Sequence, residues 1–185
     1  MLALYIALGI GGGLLFFWFV FEFNRFVKLK NKCDKALSNM DVYFKKRYDL
    51  IPNLVNTVKG YAAHEKSVLS EVTEARTNAM RGEKKGEKRA KAEARVGTAL
   101  GNVLAVAENY PELKANENFL QLSNELSRME LEIANAREAY NEVATEFNTA
   151  RESFPRSIAA FLMGLGKRTL FKAKRRERKN IKVKF

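Results

Sequence analysis

The side chains best suited to chemistry lie in one stretch: Arg47, Asp49, Asn53, Asn56, His64 and Glu65. An Arg/Asp pair beside a helix turn can hold a small anion or the end of a peptide, and an imidazole moves protons near neutral pH. A structural account of the same residues is stronger. Asp49 and Asn53 suit helix capping at a turn made by Pro52, and Arg47 suits pairing with Asp49 or covering exposed helix ends. His64 is the one imidazole in the chain, and no Ser, Cys or Lys is placed by sequence as its nucleophilic partner. One histidine and scattered carboxylates are too few ligands for a hydrolytic metal. No glycine loop of the phosphate-cradling kind occurs. The expectation is therefore no enzyme, no cofactor and no metal. A small-ligand or peptide receptor, or an enzyme, at the Arg47–His64 turn is the alternative.

The elements that must carry these residues are read from apolar spacing. Steps alternating between three and four, the mark of helices packed along a seam, occur four times. The first seam is Phe26, Leu29, Cys33, Ala36, Met40 and Tyr43, continued by Arg47. The second is Leu54, Val58, Tyr61, Val68, Val72, Ala75 and Ala79, with Glu65 on a seam position, where a carboxylate needs a cation from a facing helix. The third is Ala92, Val96, Ala99, Val103, Val106 and Tyr110. The fourth is Phe119, Leu122, Leu126, Met129, Ile133, Ala136, Tyr140, Val143, Phe147 and Ala150. Breaks are expected at Asp49-Leu50-Ile51-Pro52, at Arg81–Gly86 and at Asn109-Tyr110-Pro111. Short breaks make successive helices antiparallel. The fold class is all-α: an N-terminal transmembrane helix continuing into an antiparallel up-down four-helix bundle with long helices. Leu37 and Phe44 lie off the first seam, either widening the core-facing stripe or forming a contact between copies.

The first 21 residues carry no charged side chain. About 20 apolar residues are what a helix needs to cross a bilayer. No basic residue precedes this run, and Phe16, Phe17, Trp18, Phe19, Phe21 and Phe23 close it where a signal peptide would show small residues, so an uncleaved anchor is expected. Arg25, Lys28, Lys30, Lys32 and Lys35 follow it, which places the N-terminus outside and the remainder in the cytoplasm. The lone cysteine, Cys33, excludes an internal disulfide and suits a reducing compartment.

The segment from Asn39-Met40-Asp41-Val42 through Lys46-Arg47-Tyr48-Asp49-Leu50-Ile51-Pro52-Asn53-Leu54-Val55, Thr57-Val58-Lys59-Gly60-Tyr61 and His64-Glu65 resembles the LemA family. So do Tyr140-Asn141, Phe147-Asn148 and Ser153-Phe154-Pro155. The resemblance implies an N-out protein of the bacterial inner membrane with a cytoplasmic helical bundle, and it implies no reaction. The family includes a protein of magnetosome formation, a hint of membrane organisation. Its members are often encoded near a membrane metalloprotease, a hint of membrane-protein partners.

Net charge is +12, and Lys167–Phe185 holds ten basic residues against one acid, so most of the surplus belongs to the C-terminus. The domain reading is an anchor at 1–23, a bundle at 24–152, a short apolar or amphipathic segment at 153–171 and a basic tail at 172–185. Ile158, Phe161, Leu162 and Leu165, with Lys167, Arg168, Lys172, Lys174, Arg175, Arg176, Arg178, Lys179, Lys182 and Lys184, form a candidate membrane surface. Anionic lipids of the bilayer and further copies of the chain are the expected partners. The competing account is that Ile158–Leu165 closes the end of the bundle while the tail stays solvated. Nucleic-acid binding through the tail is the weaker alternative, because few aromatics are interleaved for base stacking. The function expected is a membrane-anchored scaffold that self-assembles as a homo-oligomer and organises or stabilises the membrane.

Overall fold

A computed structural model describes residues 1–82 and 86–171. Among the described residues every regular element is helical: α1 Leu2–Tyr61, α2 Lys66–Arg81, α3 Gly86–Val106, a single 3-10 turn Ala107–Asn109, α4 Pro111–Lys114, α5 Glu117–Glu152 and α6 Arg156–Leu162. The chain forms two compact units. One is Met1–Ser38 with Ala139–Arg168, and the other is Asn39–Glu138 with the described residues from Thr169 to Phe171.

In the unit built on Asn39–Glu138, the expected break at Pro52 does not occur. α1 continues through the proline to Tyr61, and the turn falls at Ala62–Glu65. A proline inside a helix removes one N–H and strands the carbonyl four residues earlier, at a cost of about 3 kcal/mol. That carbonyl belongs to Tyr48, and the Arg76 Nε–H of α2 donates to it at 2.8 Å. Burial of Tyr48, Ile51, Leu54 and Val58 keeps this stretch on the core-facing stripe. The second seam is thus divided, with Leu54 and Val58 on α1 and Val72, Ala75 and Ala79 on α2, which packs against α3. α2 is accordingly shorter than the second seam implied. Pro111 opens only the single turn α4, and α5 begins afresh at Glu117. There the Asn116 Oδ1 accepts the Phe119 N–H at 3.0 Å, an N-cap bond.

In the unit holding the N-terminus, Phe26, Leu29 and Cys33 of α1 meet Phe147 and Ala150 of α5 and Ala159 and Ala160 of α6. The Phe26 and Phe147 rings stand edge to face with centroids 6.1 Å apart. Cys33 is a buried thiol, and burial pushes its pKa up. Leu37 is buried as well, as is Phe44 in the other unit. Both widen the core stripe rather than offering a face to another copy. Within α1 lies a stretch long and apolar enough to cross a membrane, none of it buried by the rest of the chain.

The Arg76 bond makes a prediction. Arg76→Met should lower stability by about 1–3 kcal/mol, the cost of leaving a buried acceptor unpaired. In a Pro52→Ala background position 52 regains its N–H, and the loss should shrink. Thermal unfolding of the four proteins of this cycle, followed by circular dichroism, checks both parts.

Candidate functional site: a buried ion-pair core

The polar residues that the fold brings together are mostly not those the sequence singled out. Arg47 is 1% exposed, at the centre of the Asn39–Glu138 unit. Its Nη2 donates to Glu93 Oε2 of α3 at 2.6 Å and its Nη1 to Glu130 Oε1 of α5 at 2.7 Å. Glu93 is buried too, and it accepts from three donors in all, Arg47 included. Arg89 Nε reaches its Oε1 at 2.7 Å, and the Tyr48 hydroxyl donates to the same oxygen. Arg89 also donates from Nη2 to Asp41 Oδ1 at 2.9 Å. The Phe44 ring lies against both guanidinium groups, 5.4 Å from that of Arg47 and 5.0 Å from that of Arg89.

Two cations and three carboxylates thus pair across α1, α3 and α5, with the Arg47 Nε left as a buried donor without a partner. Both oxygens of Glu93 are occupied by donors. Tyr48 shows the same locking. Burial first, and then the Glu93 carboxylate that repels a phenolate and accepts the phenol's hydrogen bond, push its pKa well above the ordinary value.

The other residues named from sequence lie apart. Asp49 is not a cap, and it accepts from Lys45 at 2.9 Å on the exposed side of α1. Asn53 and Asn56 sit mid-helix, lining an open groove of about 470 Å³ with Leu50, Thr57, Asn118 and Gln121. His64 is exposed in the turn after α1, beyond the helix end at Tyr61, which lies about 21 Å along the axis from Arg47 at 1.5 Å per residue. Glu65 finds a phenol instead of a cation, accepting from the Tyr110 hydroxyl at 3.2 Å. No group of three or more potential metal ligands occurs among the described residues.

At the C-terminal end, Ile158, Phe161 and Leu162 are exposed while Leu165 is partly buried. Lys167 pairs with Glu152 at 2.9 Å, which lowers the carboxyl pKa of that exposed glutamate. Arg168 reaches Asp34 at 3.2 Å. Lys172, Lys174, Arg175, Arg176, Arg178, Lys179, Lys182 and Lys184 lie outside the described residues.

Sequence reasoning missed Arg89, Glu93, Glu130 and Arg76. The signal was present for one of them: Arg89 stands three residues before Ala92 and so continues the three-four spacing of the third seam backwards along α3, whereas Glu93 lies beside it. Starting that seam at Ala92 placed the charges outside it.

Removing one partner from a buried pair leaves an uncompensated charge and costs about 3–5 kcal/mol. Arg47→Met or Glu93→Ala should therefore unfold the protein at much lower temperature, whereas Asp49→Ala should do little. The pH dependence has a definite sign. A folded-state pKa raised above the unfolded value gives stability that is complete below the ordinary phenol value of 10.0 and is lost progressively as pH rises from there through the higher folded-state value. Tyr48→Phe should flatten that alkaline loss. Melting temperatures from neutral to alkaline pH measure it, with Cys33 and Tyr140, both also shifted up by burial, supplying a residual slope.

The LemA family model matches residues 36–185 of this chain. Magnetosome proteins MamQ 1 and MamQ 2 of Paramagnetospirillum magneticum are each 27% identical to it over 178 residues, covering 83% of this chain and 65% of their own length. Protein LemA of Metamycoplasma hominis is 26% identical over 169 residues, covering 91% of this chain and 77% of its own. The chain thus spans just under two thirds of the magnetosome relatives it matches. With the family's match extending from the middle of the first seam through the C-terminus, this chain belongs to the LemA family.

Proposed function

We propose that this protein is a non-enzymatic, membrane-anchored scaffold of the bacterial inner membrane, with its N-terminus outside and its helical body in the cytoplasm. One observation carries the proposal: a bare apolar helix runs without a break into a core whose buried charges are already paired with one another. A helix that is apolar and uncovered calls for lipid. A core whose buried charges are paired with one another serves shape rather than chemistry. Relatives named for a cellular structure, the magnetosome, and not for a reaction fit the same role.

The finer features belong to the proposal as well. The segments of α1, α2, α3 and α5 in the Asn39–Glu138 unit would pack up and down as a four-helix bundle. The basic tail would bind anionic lipid, each Lys or Arg near such a surface contributing about 1 kcal/mol before screening. Copies of the chain would assemble side by side. Because Leu37 and Phe44 are buried, that contact would use other residues.

Two measurements test the proposal. A tag before Met1 should be reachable from outside intact cells, and one after Phe185 should be protected. A cleavable C-terminal tag in intact cells would reject the orientation. Crosslinking in native membranes should give multimers, and a product that stays monomeric would remove self-assembly.

A further inference from the structure

We infer that α6 is a second membrane contact, an interfacial helix whose outer face lies in the leaflet where α1 leaves the bilayer. The inference rests on the reading of the uncharged start of α1 as a membrane span.

The pattern of α6 is the reverse of a helix folded onto a soluble core. Its inward residues are small: Ala159 is fully buried and Ala160 is 2% exposed. Its large apolar residues face outward. Ile158, Phe161 and Leu162, spaced as one helical face, are 48%, 84% and 66% exposed, and Phe154 in the turn before the helix is 82% exposed. In water a contiguous apolar face of this kind marks an interaction surface.

The face is not a frayed end. α6 closes with a Schellman turn: Gly164 takes φ +63°, its N–H donates to Phe161 O, and the Leu165 N–H donates to Ala160 O. The chain beyond is held to α5. Arg151 Nε donates to Leu165 O at 2.7 Å, and the Asn148 side chain both donates to and accepts from the backbone of Arg168 at 2.8 Å. At the start of α6, Arg156 pairs at 3.4 Å with the buried Glu22, the first charged residue of α1.

These contacts also fix the depth of α6. Trp18 and Phe19, inside the uncharged run, pack against the cluster containing Ala159 and Ala160. Trp18 precedes Glu22 by four residues, about 6 Å of helix rise, and interfacial helices bury their apolar face about 5–10 Å into the headgroup boundary. Phe17, Phe21 and Phe23 of α1 are exposed at the same level. The outer face of α6 therefore continues the lipid-facing surface of the span, and lipid is the occupant this continuity selects. A second copy of the chain is the competing occupant.

The test uses the full chain in vesicles of zwitterionic and anionic lipid. Trp18→Phe removes the one tryptophan, and a reporter is returned by Phe161→Trp or, as a control inside the span, Phe17→Trp. Both reporters should lose emission to lipids brominated along the acyl chain, with Phe161→Trp quenched most by bromines close to the headgroup and shielded from aqueous iodide. Quenching of Phe17→Trp alone, with Phe161→Trp open to iodide, would overturn the inference and leave the span intact. Quenching of neither would reject the span itself. A Phe161→Trp signal that escapes brominated lipid and is shielded from iodide only at high protein-to-lipid ratio would assign the face to a second copy and overturn the lipid contact.

Discussion

The carboxylate of Glu93 is the point on which the Asn39–Glu138 unit depends. It accepts from Arg47 and Tyr48 of α1 and from Arg89 of its own helix, and Arg47 extends the chain of pairs to Glu130 on α5. Such a cluster need not stabilise the fold more than well-packed apolar side chains would, because desolvating each ion costs several kcal/mol. Its effect is on alternatives. A helix shifted by one turn would strand charges in an apolar interior, so the pairs penalise wrong registers among helices whose alanine and valine seams would otherwise tolerate sliding.

The same residues settle the fate of Pro52. Tyr48 offers its hydroxyl to Glu93 and its carbonyl to Arg76. The proline's missing N–H is thereby replaced by a side chain on a helix that follows the turn at Ala62–Glu65. A defect that would end an isolated helix becomes a tie between two helices, and α1 runs unbroken from the apolar N-terminal stretch into the ion-paired core.

In the unit that holds the N-terminus, polar side chains perform a different task. Asn148 and the Arg151 Nε bind backbone, and they fasten the irregular stretch Leu165–Arg168 to α5. A segment with few backbone hydrogen bonds of its own is thus given a defined position. Gly164 supplies the left-handed turn that a side chain with a Cβ would resist, and that turn sends the chain back towards α5.

Much of this protein was legible in the sequence because it depends on local periodicity. The uncharged N-terminal stretch, the wholly helical character, and most of the buried stripe from Phe26 to Ala150 follow from residue type and spacing. Arg47 on an apolar seam already signalled a buried charge. What the sequence could not decide were outcomes that depend on partners distant along the chain. Whether Pro52 ends a helix depends on Arg76, 24 positions later, and which acid meets Arg47 depends on helices 46 and 83 residues away. Propensity and capping rules weigh only neighbours within a turn or two, so they assigned Asp49 and Asn53 to a turn that never forms. Tertiary packing outweighed them, since a donor delivered across a helix interface satisfies a stranded carbonyl as well as a neighbouring N–H does.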